Sequence, residues 1–376
     1  MQIRSIHIRG LRAHEDSEYA FSEAVNLLHG PNGIGKTNVL EAIYYACLSK
    51  SFITSSDRHV LRIGSEFLQV DAQVTTDRRG EQTIRLVFVP GEGKRVWVNG
   101  VQLERLIDLV GLFPVVVLAP ADHKLTEEGP DERRRFLDTM LCQASPSYLQ
   151  ALVDYRRVLK QRNELLSRRS GMGQAMLAPY NDALARHGSR LVLRRATFIK
   201  EFCHHLDDAF TLMAGASERP SIAYRTFLEG ASELSEDELV ARYLGVLSEK
   251  YQAEVERGLT LVGPHRDDLV FRLDDLLVRR YASQGQHRTF VTALKLAQYF
   301  YLTERLEERP VLLLDDAFDT LDPRRMQAIS DILGGDRIGQ SLVTAARKDI
   351  FENAFRFEDD SNSAISIRPE APVPTS

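Results

Sequence analysis

The segment that most constrains this chain is Gly30–Thr37, which reads GPNGIGKT. It fits the pattern GxxxxGK[ST] of a phosphate-binding loop, or P-loop. An alternating, strand-like segment precedes it, and apolar residues at three- and four-residue spacing follow it, which predicts strand, loop and helix in that order. In such a loop, glycines let backbone N–H groups converge on phosphate oxygens at the N-terminus of a helix. The segment therefore predicts a site for ATP or GTP.

Each residue of the loop has an expected role. Lys36 is expected to place its charge on the β and γ phosphates, and Thr37 to offer its hydroxyl to Mg²⁺. The alternative, a glycine-rich turn with an exposed lysine, does not explain why the loop lies between a strand and a helix. The other residues expected to contact the nucleotide are Gly30, Pro31, Asn32, Gly33, Ile34 and Gly35.

A second element of the site is an apolar run, Val311–Leu314, that ends in Asp315 and Asp316. The run predicts a buried parallel strand, and such a strand presents its carboxyl end to the ligand. Asp315 is expected to bind Mg²⁺, and Asp316 is the candidate catalytic residue that orients the attacking water. Acids after a strand can also simply cap the next helix, but a P-loop in the same chain favours the catalytic interpretation.

The rest of the chain divides by pattern. Residues 66 to 101 alternate as strands do, which predicts an antiparallel sheet, and residues 19 to 28 are expected to form one strand. From about residue 131 to about residue 212 the periodicity is helical and arginine-rich. The predicted fold class is α/β: a P-loop core with a mixed sheet, an antiparallel β-subdomain and an inserted α-helical lobe. The predicted parts are the N-terminal part of this ATPase head (1–130), the helical lobe (131–240) and the C-terminal part of the head (241–376).

Composition limits the possible partners. With 48 Lys+Arg against 53 Asp+Glu, the chain has a net charge of −5, so any DNA binding has to be regional. The longest apolar runs are too short to cross a bilayer and the N-terminus lacks a signal peptide, so a cytosolic protein without a membrane partner is expected. The three widely spaced cysteines are expected to be buried free thiols.

The helical lobe concentrates positive charge, and Arg156, Lys160 and Arg162 are its candidate DNA contacts. A basic stripe of this kind neutralises phosphates without reading the base sequence. The alternative, which the spacing leaves open, is a solvated helix face whose arginines pair with nearby acids such as Asp154 and Glu164. The further basic residues of the lobe are Arg133, Arg134, Arg135, Arg157, Arg168, Arg169, Arg186, Arg190, Arg194 and Arg195.

A third element is Ser283–Gln286, which precedes another helical run. Ser283 is expected to be its N-cap, which would direct a helix N-terminus towards an anion. Taken alone, the segment predicts an ordinary capped helix. Beside a P-loop, it resembles the signature of ABC ATPases, which completes the ATP site of the opposite subunit. Ser283, Gly285 and Gln286 are therefore candidate nucleotide contacts.

The blocks together resemble the RecF family from the first strand to beyond residue 340. The resemblance implies an ABC-type head without long coiled coils, ATP-dependent homodimerisation, and binding to duplex or gapped DNA. It also implies a weak, DNA-stimulated ATPase that acts as a switch in DNA replication, repair and the SOS response, and that works with RecO and RecR to load RecA at single-strand gaps. Besides the P-loop, the blocks are Pro120–Asp122, Gly129–Asp138, Tyr155–Asn163, Gly263–Asp268 and Ala282–Gln286.

Three positions depart from the family pattern. Asp319 stands where the family usually has serine, so the D-loop that couples two ATP sites is expected to act through Asp322. Ala345 stands where many ABC ATPases have a histidine, so either Thr344 or Arg347 substitutes for it or that step is weaker. In the Pro120–Asp122 turn, Ala121 stands in place of the first acid of the family pattern. Only Asp122 matches that pattern, and it is a candidate nucleotide contact at the Q-loop position.

Other classes share parts of this pattern. A transporter nucleotide-binding subunit would have the P-loop, the signature and the acidic strand, but it needs less chain between Lys36 and Ser283 and has no use for the arginine-rich insertion. An ATP-gated nuclease would add a metal-binding acidic cluster, and a structural chromosome protein would add long heptad arms. Neither feature occurs in the sequence.

Overall fold

The structure is a computed structural model, and it describes residues 1–168, 174–215, 218–316, 323–347, 355, 357 and 361–368. Contacts divide the chain into two compact units. The first unit comprises Met1–Asp122, Thr211–Gly215 and Thr292–Ser376, and the second comprises His123–Phe210 and Ala216–Val291. The division into 1–130, 131–240 and 241–376 stays a prediction about domains; by contacts, residues 241–291 group with the helical lobe.

The strands and helices are numbered in chain order. The strands are β1 (Gln2–Leu11), β2 (His14–Ala20), β3 (Val25–His29), β4 (Leu68–Thr76), β5 (Gly80–Val89), β6 (Gly93–Val98), β7 (Val101–Gln102), β8 (Val115–Leu118), β9 (Pro220–Arg225), β10 (Asp268–Leu273), β11 (Leu276–Leu277), β12 (Val311–Leu314), β13 (Ser341–Ala345) and β14 (Ser363–Ser366). The helices are α1 (Lys36–Leu48), α2 (Lys124–Glu127), α3 (Pro130–Ala144), α4 (Pro146–Ser167), α5 (Gln174–Ala214), α6 (Glu236–Arg257), α7 (Val278–Tyr281), α8 (Gln284–Leu306) and α9 (Pro323–Gly334).

A parallel sheet in the first unit carries the P-loop. Its strand order is β14-β3-β13-β12-β8, and all four pairings are parallel. The continuous apolar runs of β8 and β12 are fully buried, as expected for strands covered on both faces. Because β3, β13 and β12 are adjacent and parallel, the residues that follow them meet at one edge of the sheet.

The predicted antiparallel sheet is also present in the first unit, in the order β2-β1-β4-β5-β6-β7. The prediction of a single strand over residues 19 to 28 is wrong, since β2 ends at Ala20 and β3 begins at Val25 in a different sheet. The Asn26 side chain explains the break. It accepts a hydrogen bond from Ser22 N (2.7 Å) and donates one to Ser22 O (2.9 Å), which closes a turn between the two sheets.

The second unit is mainly helical, as predicted for the lobe. Three phenylalanines form part of its aromatic core: the ring centroid of Phe202 in α5 lies 6.3 Å from that of Phe136 in α3 and 4.9 Å from that of Phe198 in α5. It also contains an unexpected three-stranded sheet, β11-β10-β9, which precedes α7 and α8.

The structure also bears on membrane-spanning helices and on the three cysteines. No helix among the described residues is both long and apolar enough to cross a membrane. The three cysteines are free thiols; Cys47 and Cys142 are buried as predicted, and Cys203 is half-buried.

Candidate nucleotide site and nearby charged surfaces

The P-loop connects β3 to α1 through backbone that requires glycine. Gly30 and Gly35 have φ values of 153° and 110°, which L residues with a side chain rarely adopt. A Cβ at Gly30 would lie 2.8 Å from Ile367 O, and one at Gly35 would lie 2.9 Å from His14 Nε2. The loop is therefore held in one shape, with His14 packed against its last turn.

Lys36 is buried at the start of α1. Its Nζ donates hydrogen bonds to Gly30 O (2.8 Å), Pro31 O (3.1 Å) and Asn32 Oδ1 (3.4 Å). These partners are neutral oxygens of the loop itself, and no described carboxylate lies within ion-pair distance of Lys36. Lys36 thus makes no direct ion pair with a described acid, although its charge helps to lower the pKa of Asp315 from a longer distance. A buried ammonium held by neutral loop oxygens fits a phosphate group.

Thr37 and Asp315 meet across the sheet edge, although they are far apart in the chain. Thr37 Oγ1 donates to Asp315 Oδ1 (2.7 Å), and Thr344 Oγ1 lies 3.0 Å from the same oxygen. Burial raises the pKa of the Asp315 carboxyl, while the two hydroxyl donors oppose that rise. A carboxylate beside a hydroxyl supplies the oxygen ligands that Mg²⁺ prefers, so these residues fit the predicted metal site.

Asp316 lies next to this pair in a left-handed conformation, with φ of 44°. Its backbone N donates to Thr344 Oγ1 (2.8 Å), and its Oδ1 is 3.3 Å from that hydroxyl. The Thr344 hydroxyl thus contacts both acids from β13. That Thr344 takes the role which a histidine has in many ABC ATPases stays a prediction. The D-loop positions Asp319 and Asp322 lie outside the described residues.

Asp122, the candidate Q-loop residue, follows β8. It accepts hydrogen bonds from Ala119 N (2.8 Å) and from Lys295 Nζ (2.7 Å). Its carboxylate therefore closes a turn and pairs with α8, and a nucleotide contact at this position stays a prediction.

The signature segment begins α8 in the second unit. Ser283 Oγ accepts from Gln286 N (3.2 Å), and Gln286 Oε1 accepts from Ser283 N (2.7 Å). This reciprocal pair is a capping box, which confirms Ser283 as the N-cap. Gln286 Nε2 also donates to Glu218 Oε1 (2.5 Å). Both polar groups of the Gln286 side chain are therefore hydrogen-bonded. Glu218 is a partner of this segment that the spacing of residues in the sequence did not indicate.

The candidate DNA contacts have different environments. Arg156 and Lys160 are 64% and 80% exposed, and they lie near Asp138 (2.9 Å) and Glu164 (4.0 Å). Arg162 is 0% exposed and pairs with Glu254 (2.6 Å). The prediction that Arg162 contacts DNA is wrong, because a fully buried guanidinium cannot reach a phosphate. Its position two residues after Lys160 places it on another face of α4, which was the available signal. Arg169, from the same lobe, lies outside the described residues.

Comparisons with known proteins agree with this architecture. The family model described as "RecF/RecN/SMC N terminal domain" matches residues 2–368. The chain is 47% identical over 373 residues to "DNA replication and repair protein RecF" of Salinibacter ruber, covering 98% of this chain and 90% of that protein. It is 41% identical to the protein of the same name from Chloroherpeton thalassium, covering 94% and 97%.

Solved structures give the same result. A structure of the recombination mediator protein RecF with ATP in the RecFOR pathway matches with a TM-score of 0.87 and 29% identity, covering 92% of each chain. The counterpart with ATPrS also has a TM-score of 0.87, at 28% identity and 93% coverage of each chain. A Smc head domain bound to part of ScpA matches with a TM-score of 0.53 and 16% identity, which shows the fold alone. The predicted ABC-type ATPase head is thereby confirmed, and the chain belongs to the RecF family of DNA replication and repair proteins.

Proposed function

We propose that this protein is an ATP-dependent DNA-binding switch of recombinational repair in the cytoplasm. ATP drives two copies together on duplex or gapped DNA, slow hydrolysis releases them, and the ATP-bound form helps RecO and RecR to load RecA at single-strand gaps. The observation that carries the proposal is the contact between Thr37 and Asp315 (2.7 Å) beside a buried Lys36 without an acidic partner among the described residues. The similar RecF structures with ATP and ATPrS support it.

The residues of the P-loop and of the adjacent sheet edge have different roles in this proposal. The backbone of Gly30–Gly35 binds the phosphates, and Lys36 turns from the loop carbonyls to the β and γ phosphates. Thr37 and Asp315 would hold Mg²⁺, which when bound would offset the charge of the phosphates. Asp316 orients the attacking water, and Thr344 fixes the position of both acids through its hydroxyl.

Homodimerisation supplies the remaining part of the site. Ser283 and Gly285 of a second copy present the N-terminus of α8 to the γ phosphate, where the positive end of the helix dipole is favourable. ADP lacks that phosphate, so the contact is lost after hydrolysis and the dimer weakens. The switch therefore depends on the nucleotide being part of the interface.

Light scattering with and without ATP and duplex DNA tests the proposal. We expect the mass of one chain without nucleotide, twice that mass with ATP and Mg²⁺, and a DNA-bound dimer when duplex DNA is added. Turnover of ATP should rise with duplex DNA. A monomer under every condition, or turnover that ignores DNA, would refute the switch.

A further inference from the structure

An arginine cluster surrounds the turn at Gly263–Asp268, a block to which the proposed function assigns no role. The turn is closed by a hydrogen bond from Arg266 N to Gly263 O (2.8 Å). The cluster draws its arginines from α3, α4, α5, β9 and the turn itself, all within the second unit. Its members are Arg133, Arg134, Arg156, Arg195, Arg225 and Arg266.

The inner layer of the cluster is buried. Arg195 donates to Asp138 Oδ1 (2.7 Å) and Pro264 O (2.7 Å) and lies 3.6 Å from Asp267 Oδ2. Arg133 makes a two-pronged pair with Asp268, at 2.7 and 3.1 Å. Each of the three buried aspartates thus lies beside an inner arginine, and these ion pairs form a base under the surface.

The outer arginines are attached to the same base. Arg156 donates to Asp138 Oδ2 (2.9 Å), Arg225 to Asp268 Oδ2 (3.4 Å), and Arg134 to Asp267 O (2.6 Å). Arg156 is 64% exposed and Arg225 is 72% exposed. Arg156 and Arg225 are therefore each anchored at one nitrogen, while most of the guanidinium faces solvent. Arg134 is only 16% exposed and also pairs with Asp131 through its second terminal nitrogen, so it belongs to the base rather than to the outer surface.

Arg266 is the exposed residue at the centre of the turn. Its side chain has no hydrogen-bond or ion-pair partner within the part of the chain that the structure describes. Burial, together with the positive charges of Arg266, Arg134 and Arg195, lowers the pKa of the neighbouring His265 to about 4. The histidine is neutral at physiological pH mainly because it is buried, and the three arginines add to that effect.

The cluster has an excess of positive charge, with six arginines against four contacting aspartates, Asp131, Asp138, Asp267 and Asp268. We propose that Arg156 and Arg225, which are held in place by buried aspartates, and the exposed Arg266 beside them form a surface that binds the backbone phosphates of duplex DNA. This inference rests on the proposed function and assigns a location to its DNA contact.

The chemistry favours a phosphate backbone over a protein partner. Guanidinium groups bind phosphate through paired N–H donors, and arginines already held in place lose little side-chain freedom on binding. Protein interfaces centre on exposed apolar groups. In the described ranges, none of the exposed large apolar side chains lies in α3, α4, β9 or the turn, and the two in α5, Met176 and Leu212, lie near its ends, far along the helix from Arg195. Contacts to phosphate alone also predict binding that does not depend on base sequence.

The test is a double charge reversal, Arg225→Glu with Arg266→Glu. Both side chains are exposed, and exposed ion pairs contribute little to stability, so the fold should persist. The matched control is Arg242→Glu with Lys250→Glu, an equal charge change on exposed positions of α6 in the same unit. Arg266→Lys, which keeps the charge, is the conservative variant.

Binding to a blunt duplex is measured by fluorescence anisotropy with ATP and Mg²⁺ over a range of salt, using two unrelated sequences. Since each phosphate contact contributes about 0.9 to the slope of log K against log salt, the cluster variant should lose about 1.8 in slope. It should also lose roughly tenfold or more in affinity for both sequences alike, because each lost contact is a lost charge-assisted pair. The control and Arg266→Lys should stay near the parent protein, and ATP affinity should be equal in all.

The possible results distinguish a failure of this inference from a failure of the proposed function. If the parent protein binds duplex DNA and the cluster variant binds equally well, DNA lies on another face, and the inference fails while the proposed function stands. If the control variant loses as much affinity for duplex DNA as the cluster variant, the loss comes from the change in overall charge and not from this surface. That result also overturns the inference. If the parent protein binds no duplex DNA, the proposed function itself fails.

Discussion

The P-loop and the signature segment both place the beginning of a helix where an anion is expected, but they are held by different means. The P-loop begins α1, whose residues from Val39 to Leu48 are all buried, and its shape is fixed by glycine backbone and the core. The signature begins α8 at an exposed Ser283. It is held by side-chain hydrogen bonds among Ser283, Gln286 and Glu218. The P-loop is thus shaped by backbone and core, and the signature segment by side-chain hydrogen bonds. Under the proposed function, the P-loop binds the phosphates of its own copy and the signature meets the phosphate of a second copy.

Lys36→Ala should have the largest effect, because every later step depends on phosphate binding. Loss of a charge-assisted contact of this kind lowers affinity by roughly 10- to 100-fold, and dimerisation and turnover should disappear with it. Fluorescent-nucleotide titration measures ATP affinity, light scattering measures dimerisation and a phosphate-release assay measures turnover. Thermal melting checks that the variant is folded. Undiminished ATP affinity would contradict the assignment of the P-loop as the phosphate site. The comparison with the signature segment would then no longer hold.

Ser283→Arg should affect only what depends on the second copy. Affinity of the monomer for ATP should stay nearly unchanged, while ATP-dependent dimerisation and turnover are abolished, because the arginine blocks the N-terminus of α8. Mixing with the Lys36→Ala protein leaves one composite site with an intact P-loop and an intact signature. Partial recovery on mixing supports the shared site, and a Ser283→Arg protein that dimerises normally by itself would refute it.

Asp316→Asn should affect turnover alone. Asparagine tolerates the left-handed backbone found at this position (φ 44°), so the fold and the link to Thr344 should persist. Turnover should fall by about 100-fold or more, as expected when the group that orients or deprotonates water is lost, and the ATP-bound dimer should accumulate. A phosphate-release assay and light scattering measure these effects. Turnover at the rate of the parent protein would assign the catalytic role to another residue.

Gln286→Glu should have the smallest effect, since glutamate keeps the capping box but faces Glu218. Repulsion at a contact now 2.5 Å long should weaken the ATP-dependent dimer by roughly tenfold. The double variant with Glu218→Gln restores a donor and an acceptor, so it should recover most of the loss. A double variant as weak as the single one would show that Gln286 acts on the nucleotide directly and not through Glu218.

Much of the P-loop edge could be predicted because its information is local. The glycines, Lys36 and Thr37 follow one strand-like run, and Asp315 follows another. Once both runs are buried parallel strands of one sheet, their carboxyl ends lie at the same edge. The contact between Thr37 and Asp315 follows from that rule without any knowledge of the intervening residues.

The parts that sequence reasoning missed depend on distant partners. Spacing places Arg162 and Arg156 on different faces of one helix, but it does not show which face is covered. In the fold, Arg162 pairs with Glu254 in the interior while Arg156 faces solvent. Glu218 reaches Gln286 across a long stretch of chain. The break after Ala20 depends on the side chain of Asn26, a polar residue within an otherwise apolar run. Periodicity describes which face is apolar and does not identify what covers it.

The order of the parallel sheet has a consequence for how the protein is made. Strand β3, which leads into the P-loop, pairs only with β13 and β14 among the described strands, and these are supplied by residues 341–345 and 363–366. At the usual pace of bacterial translation, roughly 15 to 60 s separate the synthesis of β3 and β13. Until then the apolar β3 has neither neighbour, so a nascent chain that stops before β13 should fail to retain ATP and should bind chaperones that recognise exposed strands.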